Sequence, residues 1–518
     1  MSGAVSDTGA APPLNRTMIT VSIMLATIIQ ALDGTIANVA LPHMQGSLSA
    51  SQDQITWVLT SFIVAAAIAT PLTGWLCDRF GQKNTFMVSI IGFTISSVLC
   101  GLSSSLGEIV AARLLQGIFG AALVPLSQAV LLDINPREKH GSAMAIWGMG
   151  VMIGPILGPT LGGWLTDSYS WRWVFFINVP IGSLACYGIW RYIQKDVAKR
   201  RMRFDMFGFA TLSIAIGALQ LVLDRGEQND WFGSTETWIE AIVLALSLCY
   251  FIAHTALSPA GKSFFDYRLL KNSNYVSGLL FIAIMGMVLF ATRALTPSML
   301  QGLMDYPATI AGLVTAPSGL GTMVAMLVVG RLTGKIDTRL LLAVGFGATA
   351  YSLWQMSNFT LELVPSDVVW SGVIQGIGLG LVFVPLSAAT FATLEPTMRA
   401  EGTAIYSLMR NIGSSIGIAL VQTLLVRNTQ IAHASLTEHI NISNPALHDG
   451  ITAQVYNLAS ATGPAASNAE ITRQATMIAY LDDFWLMLIL TLAVIPLLLL
   501  IRPPKKNAPI VIDHAAME

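Results

Sequence analysis

QGIFGAALVPLSQA, residues 116–129, returns in altered form as QGIGLGLVFVPLSAA, residues 375–389. A second pair, GWLCDRFGQK from Gly74 and GRLTGKIDTR from Gly330, repeats at nearly the same offset, 256 to 260 residues throughout. An internal repeat of this length implies two homologous halves. The apolar runs around the repeats give each half six helices, with two more inserted between them. Repeated halves around a central site are a transporter architecture.

The composition places that architecture in a membrane. The 518 residues are 54% hydrophobic and 11% charged, with a mean hydropathy of +0.64, whereas a soluble domain carries about 25% charged residues. The net charge of −1 argues against a nucleic-acid partner. Cys77, Cys100, Cys186 and Cys249 lie in or beside apolar runs and form no CxxC, so neither a disulfide framework nor a zinc site is expected. No cleavable signal is expected either, because residues 1–15 lack an apolar core.

A spanning helix needs about 20 apolar residues. Fourteen runs qualify: 18–41, 55–77, 84–102, 107–132, 141–165, 174–193, 206–224, 236–258, 274–298, 308–330, 340–357, 367–393, 401–426 and 484–501. With the N-terminus in the cytoplasm, 21 of the 28 Lys and Arg fall in cytoplasmic segments and four in outer ones (Arg172, Arg225, Arg427 and Arg473). That bias obeys the positive-inside rule and puts both termini in the cytoplasm. The expected organisation is a tail over 1–17, a six-helix half over 18–203, two linker helices over 204–260, a second half over 261–501 and a tail over 502–518. The basic stretch Lys195–Arg203 would be the link after the first half. The one long connection, 427–483, is read as a polar outer loop whose second part, SNAEITRQATMIAYLDDF, forms an amphipathic helix.

Several motifs carry chemistry. GWLCDRFGQKN joins spans two and three. Gly74 and Gly81 permit close approach and a tight turn, and Asp78, Arg79 and Lys83 put charges at the membrane edge. A solvated basic loop would explain Arg79 and Lys83 but not the glycine spacing. In the second copy Gly334 replaces Asp78. RLLQGIFGAA places Arg113 inside span four, where an arginine costs about 2.5–3.5 kcal/mol. Snorkelling to the near surface is the plain alternative, but the repeat has Gly372 at this position, so the fold does not require the charge. GMGVMIGPILGPTLGGW in span five sets Gly150, Gly154, Gly158 and Gly162 on one face with Pro155 among them. Each internal glycine costs about 1 kcal/mol against alanine, and small-xxx-small faces let helices touch. The second half keeps Gly413 and Gly417 but has Ser414 in place of Pro155.

In QALDGTIANVALP, residues 30–42, Asp33 stands in an apolar run with Asn38 beyond it. Asp33 lies about 8 residues, or roughly 12 Å, below the outer end of span one. Arg113 lies at nearly the same depth. Opposite charges at equal depth can pair, each making the other affordable; a structural ion pair is the plain reading and a proton carrier the functional one. Gln116 and Arg410 are candidates for a cavity wall together with Asn38. Arg293 and Asp224 read as interfacial, and His254 as a bystander near a helix end.

GWLCDRFGQKN resembles the signature loop of the major facilitator superfamily. LDGTIANVALP, WRWVFFINVPIG and LQLVLDRGEQNDWF resemble the fourteen-helix drug:proton antiporters of that superfamily, specifically the EmrB-type multidrug exporters, over nearly all of residues 17–501. The resemblance implies an all-α membrane protein with the major facilitator fold and a lock of the outward-open state at Gly74, Asp78, Arg79, Gly81 and Lys83. It also implies an antiporter motif at Gly150, Gly154, Pro155, Gly158 and Gly162, and proton coupling at Asp33 and Arg113. The implied activity is proton-driven efflux of lipophilic compounds across a bacterial inner membrane, with a periplasmic adaptor and an outer-membrane channel as partners. No cofactor or metal is expected. A proton-coupled importer is the nearer alternative, and a membrane enzyme the further one. Against an enzyme, the chain has no HExxH and no GxSxG. Against an ATP-driven pump, GKS at 261–263 has Ala256 where a P-loop needs glycine.

Overall fold

The computed structural model describes residues 15–194, 204–258, 264, 268–438, 440, 456, 460 and 462–500. The expected link 195–203, most of both tails and the middle of connection 427–483 lie outside the described residues. In lipid every backbone polar group must be satisfied within its own segment, so apolar runs of this length become helices. The first half holds α1 (Arg16–Ser47), α2 (Trp57–Ala69 and Leu72–Phe80), α3 (Gln82–Leu102), α4 (Leu106–Gly120 and Leu123–Ile134), α5 (His140–Ser168) and α6 (Asn178–Tyr192). Next come α7 (Met206–Arg225) and α8 (Thr235–Leu257). The second half holds α9 (Ser273–Leu303), α10 (Ala308–Leu332), α11 (Thr338–Met356), α12 (Pro365–Ala392), α13 (Arg399–Glu438) and α14 (Gly463–Val494).

Twelve of the described helical segments are long and apolar enough to cross a membrane, or thirteen with the two pieces of α2, which meet at 55°, taken as one span. Pro71 sits at that bend, where its missing N–H and ring interrupt the helix. α11 is the remaining one of the fourteen. It is 19 residues long, carries Thr338, Arg339, Ser352 and Gln355 among its apolar residues, and packs on α12 and α14.

The halves pair their helices alike. α1 packs on α5 and α6, α4 on α2 and α3, and α6 on α3. In the second half α9 packs on α13 and α14, α12 on α10 and α11, and α14 on α11. The repeat read from the sequence is thus a repeat of helix packing. The halves meet chiefly through α5 and α10. The inserted pair is central in the chain but peripheral in space: α7 touches α2 and α13, and the most apolar stretch of α8 has no buried residue.

One boundary differs from expectation. Segment 427–483 is not a simple loop, because α13 runs on to Glu438 and α14 begins at Gly463. At 1.5 Å per residue the 40 residues of α13 span about 60 Å, roughly twice the hydrocarbon core. The two arms lie side by side. Asn428 Nδ2 donates to Asp482 Oδ2 at 3.4 Å, and His433 Nε2 lies 3.0 Å from Asn468 Oδ1. Falling hydropathy marks where a helix leaves lipid, not where it ends.

Candidate functional site

α1, α4 and α6 bring four polar side chains together inside the first half. Arg113 Nη1 donates to Asp33 Oδ2 at 2.6 Å and to Gln116 Oε1 at 2.8 Å. Gln116 Nε2 donates to the other carboxylate oxygen, Asp33 Oδ1, at 2.8 Å, and Asn178 Nδ2 reaches the same oxygen at 3.1 Å. Arg113 Nε donates to the Val58 carbonyl at 3.0 Å, in α2. Its guanidinium lies 4.1 Å from the centre of the Phe62 ring, within cation–π range. Ser97 on α3 accepts from Asn178 at 2.9 Å and donates to the Phe175 carbonyl at 2.9 Å. All five side chains are buried. A charge-assisted pair with its remaining lone pairs and protons satisfied is the form in which a buried charge is tolerable.

Gln116, expected to line a cavity, is instead part of this network. It follows Arg113 by three residues and so shares its helix face. Asn38 stays exposed, on the α1 face that also carries Gly34. Asn178 and Ser97 were not singled out in the sequence. The motif FFINVP contains Asn178, but an amide entering a spanning helix after two aromatics was the only signal.

The glycine face of α5 has one partner, α1. A Cβ on Gly150 would strike the Met24 methyl, one on Gly154 the Ala31 carbonyl, and one on Gly158 the Thr35 side chain; on Gly162 it would come within 2.8 Å of Ile36 Cγ1. Thr35 Oγ1 donates across the contact to the Gly154 carbonyl at 3.0 Å. Ala31 and Thr35 flank Asp33, so the smooth face of α5 sets the position of the acid. Pro155 falls within α5.

The predicted lock loop lies at the end of the bundle where α1 begins. Gly81 adopts φ 84° at the turn from α2 to α3, a left-handed conformation that favours glycine. Lys83 Nζ donates to the Trp190 carbonyl at 2.6 Å, capping the end of α6. Arg79 is exposed. Gly74 abuts the first turn of α13 in the other half: a Cβ there would come within 2.8 Å of Glu401 Cβ.

An ion pair that no sequence motif marks also joins the halves. Arg399 Nη1 donates to Asp133 Oδ1 at 2.7 Å and to the Leu132 carbonyl at 3.2 Å. His140 Nε2 donates to the same carbonyl at 3.0 Å. The repeat offset relating Gln116 to Gln375 also relates His140 to Arg399, so equivalent residues of the two halves converge on one helix end. Ser142 Oγ donates to the Gly330 carbonyl at 3.1 Å close by. This end of the bundle is closed by contacts between the halves.

Other candidates are more scattered. Asp224 accepts a hydrogen bond from Thr60 on α2. Arg293 reaches across to Met152 Sδ on α5 at 3.7 Å. Arg410 Nε is buried without a hydrogen-bond partner among the described residues. His254, read as a bystander, lies 3.0 Å from Asp205 Oδ2 and ties the end of α8 to the start of α7.

Residues 23–418 match the family model of the Major Facilitator Superfamily. The chain is 36% identical to the multidrug export protein EmrB of Escherichia coli (strain K12) over 492 residues, covering 94% of this chain and 95% of that one. It is 34% identical to the fatty acid resistance protein FarB of Neisseria gonorrhoeae, covering 95% and 98%. Among solved structures, the human organic anion transporter MFSD10 (TETRAN) superposes with a TM-score of 0.60 at 14% identity, over 93% of this chain and all of that one. The proton:xylose symporter XylE superposes with a TM-score of 0.56 at 12% identity, over 93% and 96%. Fold, repeat and sequence agree: this chain belongs to the major facilitator superfamily, within the group of the EmrB multidrug export proteins.

Proposed function

We propose that this protein exports lipophilic compounds across the inner membrane in exchange for protons, with Asp33 carrying the proton and Arg113 holding its charged form. The observation that carries the reading is the sealed Asp33–Arg113–Gln116–Asn178 network, a buried charge cluster whose arginine has no counterpart at Gly372 in the second half. An intramembrane ionisable group is a functional site by default. Similarity to proteins named multidrug export proteins supports the export direction.

In this reading the end of the bundle closed by Arg399–Asp133 and Gly74–Glu401 is cytoplasmic. A proton arriving from the periplasm neutralises Asp33 and removes the charge that Arg113 binds. The network loosens, and α1 shifts against the glycine face of α5. When the bundle opens to the cytoplasm, a lipophilic compound enters, Asp33 returns its proton to the cytoplasm and the ion pair re-forms. Asp33 carries one proton inward for each export step. The helical arms of α13 and α14 form the docking surface for a periplasmic adaptor, as the resemblance to EmrB-type exporters implies, and an outer-membrane channel completes the path.

The test is efflux from cells whose transmembrane pH gradient and membrane potential are both collapsed while ATP is maintained. Efflux stops if proton exchange drives it. Efflux that continues rules the reading out.

A further inference from the structure

Asp483 on α14 is 0% exposed, and neither carboxylate oxygen has a hydrogen-bond partner among the described residues. Its neighbours on the helix, Tyr480, Phe484 and Met487, belong to an apolar cluster with Leu295 of α9, Leu353 of α11 and Val421 of α13. Of the charged and titratable residues on the helices packed against α14 (Arg293 on α9, Arg339 on α11, and Arg399, Glu401, Arg410, Arg427, His433 and Glu438 on α13), none hydrogen-bonds to it. The charge beside it is Asp482, of the same sign. An ionised carboxylate without a cation or a donor is prohibitively costly in such surroundings, and the group neutralises instead.

The two halves differ here in an instructive way. The repeat offset carries Asp33 of α1 to Thr292 of α9, whose hydroxyl is spent on the Val288 carbonyl of its own helix. The second half therefore has no acid at this place in its first helix. Its sixth helix, α14, packs on α9 and α11 as α6 packs on α1 and α3. α6 presents the amide of Asn178 to Asp33; α14 buries an acid of its own.

We propose that Asp483 is a second proton-carrying site, loaded while the Arg399–Asp133 end is closed and discharged when that end opens. Asp482, the next residue, is exposed and accepts from Asn428. It offers protons a point of entry from the far side of the membrane. Release is tied to opening through α13, whose first turn forms the lock and whose length packs along α14. Opening repacks α13 against α14 and admits water to the carboxyl group. The inference rests on proton exchange as the driving reaction, and it assigns that exchange a second proton.

The experiment is infrared spectroscopy of the purified full chain across pH, which needs neither substrate nor transport. At neutral pH the wild type shows a buried carboxylic-acid C=O band that Asp483→Asn loses and Asp483→Glu keeps. In the lock-released double variant Asp133→Asn/Arg399→Gln, with opening verified by spin-label distances across the lock, the band titrates away at a proton concentration at least tenfold higher. A wild type without this band overturns the proposal. So does a band with the same pH dependence in the closed and opened protein, which marks a purely structural acid. Normal band behaviour in a protein that moves no substrate would fault the export reading instead.

Discussion

Arg113 Nη1 lies 2.6 Å from Asp33 Oδ2, with the two side chains 1% and 0% exposed. Neither charge is affordable alone at that depth, and together they are held by Gln116, Asn178 and the Val58 carbonyl.

Removing one partner is therefore expected to cost more than removing both. Arg113→Ala strands a buried carboxylate, at a cost of about 3–5 kcal/mol. The double variant Arg113→Ala/Asp33→Asn recovers most of that loss, because the stranded charge is gone. Thermal unfolding in detergent checks both.

The α5 glycine face predicts intolerance of any side chain. Gly158→Ala already places a methyl against Thr35, and Gly158→Leu drives α1 away from α5, an overpacking cost of about 1–3 kcal/mol. Membrane insertion stays normal and transport is lost or leaky. Wild-type transport by Gly158→Leu would mean that the face does not hold α1.

The lock predicts a conformational shift without loss of folding. Arg399→Gln removes the charge that joins the halves at Asp133 and Leu132. The population opened at this end rises, read as greater modification by a membrane-impermeant thiol reagent of a cysteine placed at Ser142. Unchanged labelling would place the lock elsewhere.

Asp205 predicts a pH dependence outside the membrane. Burial alone would raise its pKa, but the N–H groups of Gly208 and Phe264 and the His254 ring outweigh burial and hold the carboxyl below its ordinary value of 3.8. The stabilisation is in place above that value and is lost as pH falls through the depressed one. Asp205→Asn keeps an oxygen that can cap α7 but removes the charge that the two N–H groups and the His254 ring hold, so it should lower stability at neutral pH and leave it unchanged in strong acid. Unfolding temperature against pH reads the difference.

Much of this was legible in the sequence. The repeat gave the paired halves, and equal depth brought Asp33 to Arg113. Local periodicity could not show that Gln116 faces the acid rather than a cavity, because that depends on how α4 rotates against α1. Asn178 and the Arg399–Asp133 bond were missed for the same reason: each joins segments far apart in the chain, and no spacing encodes that meeting. The amphipathic pattern of SNAEITRQATMIAYLDDF marks the arm of α14, but the run of α13 on to Glu438 was hidden because hydropathy reports the solvent around a helix rather than its length.

Proton release on substrate binding shows whether Asp33 carries the exchanged proton. Purified protein in weakly buffered detergent solution is given a lipophilic substrate whose binding is measured in parallel. The wild type should release protons as substrate binds. Asp33→Asn, which keeps the shape of the protonated acid and removes its titration, should bind substrate yet release no more than half as many protons at every pH. Release equal to wild type from Asp33→Asn would contradict the account and leave Asp33 a structural acid paired with Arg113.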